Sequence, residues 1–146
     1  MASVADRPCR VLLVEDDEAF ADAVTRHLRA RGLAVRRAGS AEEAREILAR
    51  EAPPSVVILD INLPGDTGWS LLRNPELAAA GSPPVVIASV TAIHPRKLRE
   101  YGVAGYLPKP FPLDALVGTI DRLVNRAADE GRDPSRRAEG SAVEES

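Results

Sequence analysis

The apolar, β-branched run Val56–Val57–Ile58–Leu59, closed by Asp60, constrains this chain more than any other stretch. A short run without polar alternation reads as a strand buried on both faces, the kind found in parallel sheets covered by helices on either side. After Asp60 come Asn62, Leu63, Pro64, Gly65 and Gly68, whose Pro and Gly residues mark a sharp turn. In an open parallel sheet, ligands and chemistry gather outside the carboxyl ends of the strands. Asp60 therefore stands where a reactive group is placed, although an Asp at a strand end more often only caps the next turn.

A second apolar run, Val11–Val14, is followed at once by Glu15, Asp16 and Asp17. If the two strands are neighbours, several carboxylates meet at one sheet edge. Like charges repel at that range unless a cation neutralises them. Oxygen ligands without a nearby His or Cys point to Mg²⁺, which takes one or two carboxylates and keeps positions open for phosphate. Asp17 has a second reading, as the N-cap of the helix that follows.

Strand and helix patterns alternate along the whole body. Strands are expected at 10–14, 33–37, 56–59, 85–88 and 105–107. The helix over 17–31 carries Phe20, Val24 and Leu28 on one stripe and stops at Gly32. Ser40 and Glu43 form a capping box for a helix to about Glu51, facing inward through Ala44, Ile47 and Leu48. A third helix starts near Gly68, is kinked or interrupted at Asn74–Pro75, and continues through Leu77 and Ala80. A short helix over 95–101 and a final one over 112–126 complete the pattern. The alternation predicts an α/β fold, a (βα)5 doubly wound parallel five-stranded sheet of the flavodoxin-like kind.

At 146 residues the chain suits one domain with an ordinary core. Its net charge of −3 resides in residues 127–146, and the balanced body offers no basic footprint for nucleic acid. Those last residues hold only Val143 as an apolar side chain larger than Ala, and are expected to be a disordered charged tail. Cys9 is the only cysteine, so a reducing compartment and a cytoplasmic location are expected. No apolar run approaches the roughly 20 residues that span a bilayer, so no membrane contact is expected.

These motifs, taken together and in order, resemble the receiver domain of two-component response regulators, the CheY-like family. Glu15–Asp16 is similar to the acidic pair after the first strand, and Leu59–Asp60 with Asn62–Gly65 and Gly68 to the phosphoacceptor segment. Pro84–Ser89 is similar to the strand that delivers a hydroxyl, and Tyr106–Leu107–Pro108–Lys109–Pro110–Phe111 to the Lys-Pro motif after the fifth strand. The resemblance covers residues 10–126, leaving 1–9 as an N-terminal extension.

The resemblance implies that Asp60 accepts a phosphoryl group from a phosphohistidine on a sensor histidine kinase or a histidine phosphotransfer protein. It implies Mg²⁺ held by Asp16, Asp60 and the backbone carbonyl of Asn62, with Glu15 acting through a water. Lys109 would pair with Asp60 before transfer and with a phosphoryl oxygen afterwards. Ser89 would bond the phosphoryl group; Thr91 is the alternative, but Ser89 directly follows the apolar run. Tyr106 would be the aromatic switch, and Asn62 and Thr91 would tune how fast water removes the phosphate. A cis Lys109–Pro110 bond is also implied, as is a downstream protein docked on the 95–126 face.

The chain reads as a stand-alone receiver and a switch, not an enzyme beyond its own phosphorylation and slow dephosphorylation. Two rivals share parts of the pattern. A haloacid dehalogenase-type hydrolase wants a second Asp two residues after the first, where this chain has Asn62. A non-phosphorylated pseudo-receiver scaffold would lack an acid, the phosphoacceptor or the lysine, and all are present. The short segment between Ser89 and Gly102 departs from the family pattern on the docking face.

Overall fold

A computed structural model describes residues 9–132 except Asp66, with side chains described as far as Arg126. The five strands are β1 Arg10–Val14, β2 Ala34–Ala38, β3 Val56–Leu59, β4 Val85–Ser89 and β5 Gly105–Pro108. All pair in parallel, in the order β2-β1-β3-β4-β5. The reversal of strand order between β1 and β3 puts both acid-tipped strands side by side. Val14 pairs with Leu59, so Glu15 and Asp60 emerge from adjacent strand ends.

Helices cover both faces: α1 Glu18–Ala30 and α6 Leu113–Arg132 on one, and α2 Ala41–Arg50, α3 Gly68–Leu72, α4 Pro75–Ala78 and α5 Pro95–Glu100 on the other. Alternation along each strand sorts the core into two layers. Val11, Leu13, Ile58 and Val86 pack with Val24, Leu28, Leu116 and Ile120. Leu12, Val14, Leu59 and Ile87 pack with Ala44, Leu48, Leu71 and Leu72. Burying such side chains contributes about 1.5–3 kcal/mol each, which makes the central strands the rigid platform for what their ends carry.

Local signals place most element ends. The Asp17 carboxylate accepts from the Phe20 N–H at 3.1 Å and caps α1. Ser40 accepts from the Glu43 N–H at 3.1 Å, and the Glu43 carboxylate reaches back to the Gly39 N–H at 2.7 Å. Pro75, lacking an N–H, splits the expected third helix into α3 and α4, and α4 ends two residues before Ala80. Strand β2 is displaced one residue toward the C-terminus of its expected span.

One boundary differs more. Helix α6 runs to Arg132, six residues past the 126 at which the folded part was expected to stop. Ala127, Ala128 and Glu130 are good helix formers, and a helix can be propagated by backbone hydrogen bonds without burying a face. The expectations for residues 1–8 and for the rest of the tail, 133–146, lie outside the described residues.

Helix α5 has no buried residue. Tyr101 at its C-terminal cap stacks on Trp69 of α3 at a 4.9 Å centroid separation, and the Tyr101 hydroxyl accepts from Arg73 at 2.9 Å. Among the described residues, no helix is long and apolar enough to cross a membrane.

Candidate functional site

The site lies at the carboxyl edge of β1, β3, β4 and β5. Glu15 and Asp60 are 2% and 7% exposed, while Asp16 is exposed. One carboxylate oxygen from each of the three lies within 4.8 Å of the others. The side chain of Asp16 has no hydrogen-bond or ion-pair partner among the described residues.

Lys109, delivered from the end of β5, meets this cluster from inside. Its ammonium donates to Glu15 Oε1 at 2.7 Å and to Asp60 Oδ2 at 3.4 Å. It also sits 4.3 Å from the centroid of the Phe20 ring, and Phe20 meets Phe111 edge-on at 5.9 Å. The Lys109–Pro110 peptide is cis, and the Lys109 N–H donates to the Ser89 carbonyl at 2.9 Å.

Burial is the largest influence on Glu15 and pushes its carboxyl above the ordinary range. The Lys109 hydrogen bond opposes that push, and the Asp60 charge adds to it. Burial is also the largest single influence on Lys109 and would lower it. The hydrogen bond and charge of Glu15, with the charge of Asp60, together outweigh it and leave the ammonium above its ordinary value.

Ser89 is the last residue of β4 and fully buried; Thr91 is exposed. The Ser89 Oγ accepts from Asn62 Nδ2 at 3.0 Å and from the Thr91 N–H at 3.1 Å. Asn62 Nδ2 also donates to Thr91 Oγ1 at 2.8 Å, and the Asn62 N–H donates to Asp60 Oδ1 at 2.9 Å. A single asparagine thus ties the loop after Asp60 to the end of β4. Tyr106 is half-buried, its hydroxyl donating to the Thr91 carbonyl at 3.1 Å.

Sequence reasoning gathered Glu15, Asp16, Asp60, Ser89 and Lys109, and the fold brings these residues together. It missed that the shortest contact of Lys109 is with Glu15, and it missed Phe20, which had been read only as core stripe. It also missed Arg37 on β2, whose guanidinium reaches the backbone between Glu15 and Asp16. No motif marks Arg37; only its strand position, opposite Leu13 and so one residue from the end of β1, could have suggested it.

The donor set suits Mg²⁺: three hard carboxylates, no nitrogen or sulfur ligand, and a spread close to the roughly 4.2 Å that separates opposite oxygens around one such ion.

A family profile described as "Response regulator receiver domain" matches residues 11–121. The response regulator MprA of Mycobacterium sp. (strain KMS) is 32% identical over 128 residues, covering 86% of this chain and 55% of that protein. The chain spans about half the length of the curated relatives it matches. The non-phosphorylated HemR receiver domain from Leptospira biflexa superposes with a TM-score of 0.70 at 31% identity, covering 81% of this chain and 94% of that one. The response regulator protein TrrA from Thermotoga maritima, solved in complex with Mg(2+)-BeF, gives a TM-score of 0.69 over 78% of this chain and 97% of that one. At 22% identity, that last likeness is one of fold. Sheet order, strand-end acids and these matches agree: the chain belongs to the response regulator receiver domain family, the signalling switches of two-component systems.

Proposed function

We propose that this receiver domain is a phosphorylatable switch. Asp60 accepts a phosphoryl group from a phosphohistidine on a sensor kinase or phosphotransfer protein, and the transfer alters a protein-docking surface on the 95–126 face. The reading rests above all on one juxtaposition: three carboxylates within 4.8 Å of one another, faced by the Lys109 ammonium. In the transfer a carboxylate oxygen of Asp60 bonds to phosphorus as the phosphorus–nitrogen bond breaks. The electron pair of that bond stays with the imidazole, which takes up a proton.

Little covalent work falls to the protein; positioning and charge neutralisation dominate. Asp16, Asp60 and the Asn62 carbonyl would hold Mg²⁺, with Glu15 acting through a water; the ion supplies neutralisation of the phosphoryl oxygens. Lys109 offsets the remaining charge. Ser89 Oγ accepts two hydrogen bonds, which leaves its own hydrogen to donate to a phosphoryl oxygen. Tyr106 follows Thr91 through their shared hydrogen bond, and so links the site to β5. Catalysis is limited to the chain's own phosphorylation and slow dephosphorylation. A cytoplasmic setting goes with this reading, since the lone Cys9 suits a reducing compartment.

The test is incubation with Mg²⁺ and acetyl phosphate followed by intact-mass measurement. A gain of about 80 Da, one phosphoryl group carrying a charge of about −2, is expected, and Asp60→Asn abolishes it. Label persisting in Asp60→Asn moves the acceptor elsewhere, and no label in the wild type favours the pseudo-receiver scaffold. Asn62, which touches both Ser89 and Thr91, is assigned with Thr91 to tuning the phosphate's lifetime. Asn62→Lys is expected to change the half-life of the labelled species several-fold; an unchanged half-life removes Asn62 from that role.

A further inference from the structure

Arg37 lies on β2, half-buried, and ends in an unusual set of acceptors. Its Nε and Nη2 donate to the Glu15 carbonyl at 3.2 and 3.0 Å, and Nη2 also reaches the Asp16 carbonyl at 3.4 Å. It has no carboxylate within ion-pair distance among the described residues. A guanidinium carries five donors in a rigid planar fork, so two adjacent carbonyls held by one fork fix the orientation of both peptide units.

Those peptide units carry the acidic pair. Glu15 has further anchors: its N–H donates to the Ala38 carbonyl at 2.9 Å, and its carboxylate is held by Lys109 and by the Asp17 N–H at 3.2 Å. Asp16 has none of these. Its carboxylate is exposed and without a partner, yet it lies within 4.8 Å of Glu15 and Asp60 oxygens. With no partner on the carboxylate itself, the backbone governs where it stands, and Arg37 is the side chain that grips that backbone at both carbonyls from outside the β1–α1 turn.

We propose that Arg37 is a positioning residue for the acidic pair, clamping the Glu15 and Asp16 carbonyls so that the Asp16 carboxylate is held ready for a divalent cation. The inference rests on the reading of this site as a Mg²⁺ site. Partners of this kind, outside the ligand set, typically change metal affinity 10- to 100-fold when removed. The sign of the effect separates clamping from charge. A guanidinium acting only as a nearby positive charge would repel the ion, and its removal would tighten binding.

Calorimetric titration of the full chain with Mg²⁺ alone tests this on wild type, Arg37→Met and Arg37→Lys, each first verified as folded by circular dichroism at the titration temperature. Both variants are expected to bind Mg²⁺ about tenfold more weakly, because Lys keeps the charge but cannot fork two carbonyls. Unchanged or tighter binding by Arg37→Met overturns the clamp, as does full wild-type affinity in Arg37→Lys. If one variant fails to fold, the other decides alone, and Arg37→Gln replaces both if neither folds. A wild type that takes up no Mg²⁺ overturns the metal-site reading together with the clamp, which distinguishes the two failures.

Discussion

Replacing Lys109 with Met should destabilise the protein by about 3–5 kcal/mol at neutral pH, the usual cost of stripping one partner from a buried ion pair. Lys109 is 13% exposed at its side chain and Glu15 2%, so the pair is shielded from water. Without the ammonium, the buried Glu15 carboxylate loses its 2.7 Å donor and keeps only the Asp17 N–H at 3.2 Å, with the Asp60 charge beside it. Burial already raises Glu15 above its ordinary value in the wild type, and the variant loses the hydrogen bond that opposes that rise.

The sign of the pH dependence follows from linkage. A carboxyl whose folded pKa lies above its unfolded value binds more protons folded than unfolded in the interval between the two. Stability there falls as pH rises and returns as pH falls. Lys109→Met should therefore recover part of its loss between pH 7 and pH 5, in urea melts of the metal-free protein. A loss of under 1 kcal/mol at pH 7, or one that does not shrink on acidification, would show that water reaches Glu15 and relieves it. The same substitution removes the cation that offsets phosphoryl charge, so labelling of Asp60 should fall with it.

The second large effect is expected at Gly68. A Cβ built there would lie 2.9 Å from the Asp60 carbonyl oxygen, 2.9 Å from Ile61 Cα and 2.9 Å from Ile61 Cδ1. Two of these neighbours are backbone, so no side-chain rotation relieves the contact. The Gly68 N–H also donates to the Ile61 carbonyl at 3.1 Å, which holds the start of α3 against the loop that carries the phosphoacceptor. Overpacking of this kind costs about 1–3 kcal/mol, and Gly68→Ala should lie at the upper end while displacing Asp60.

Gly65 provides the control. Its φ is +75°, but a Cβ there meets nothing within 4 Å. Gly65→Ala should therefore cost only the conformational strain, about 1 kcal/mol, with less change in acetyl-phosphate labelling. Equal losses at the two glycines, measured by chemical denaturation, would remove the steric argument.

The two glycines mark where local signals stop. Both were legible as turn residues after Asp60, and for Gly65 that is the physical reason, a left-handed backbone. Gly68 is needed for closeness to a segment seven and eight residues earlier, which composition does not reveal. The helix ends behave like Gly65: Asp17, Ser40 and Pro75 act on neighbours within four residues, so their effects could be read from spacing. The extra turns of α6 could not, since the polar and small residues at 127–132 read as tail while the helix continues through them.

What the chain's sequence determined by itself was the set of strands, their acid or hydroxyl tips and the caps between them. Each is a short-range consequence of hydrophobic runs and turn chemistry. Only the tertiary structure decided who meets whom at the sheet edge. Lys109 is 94 positions from Glu15, Arg37 is 22 from it, and Asn62 is 27 from Ser89. Such contacts depend on strand order and register, which place side chains with the same intrinsic preferences either against a partner or in water.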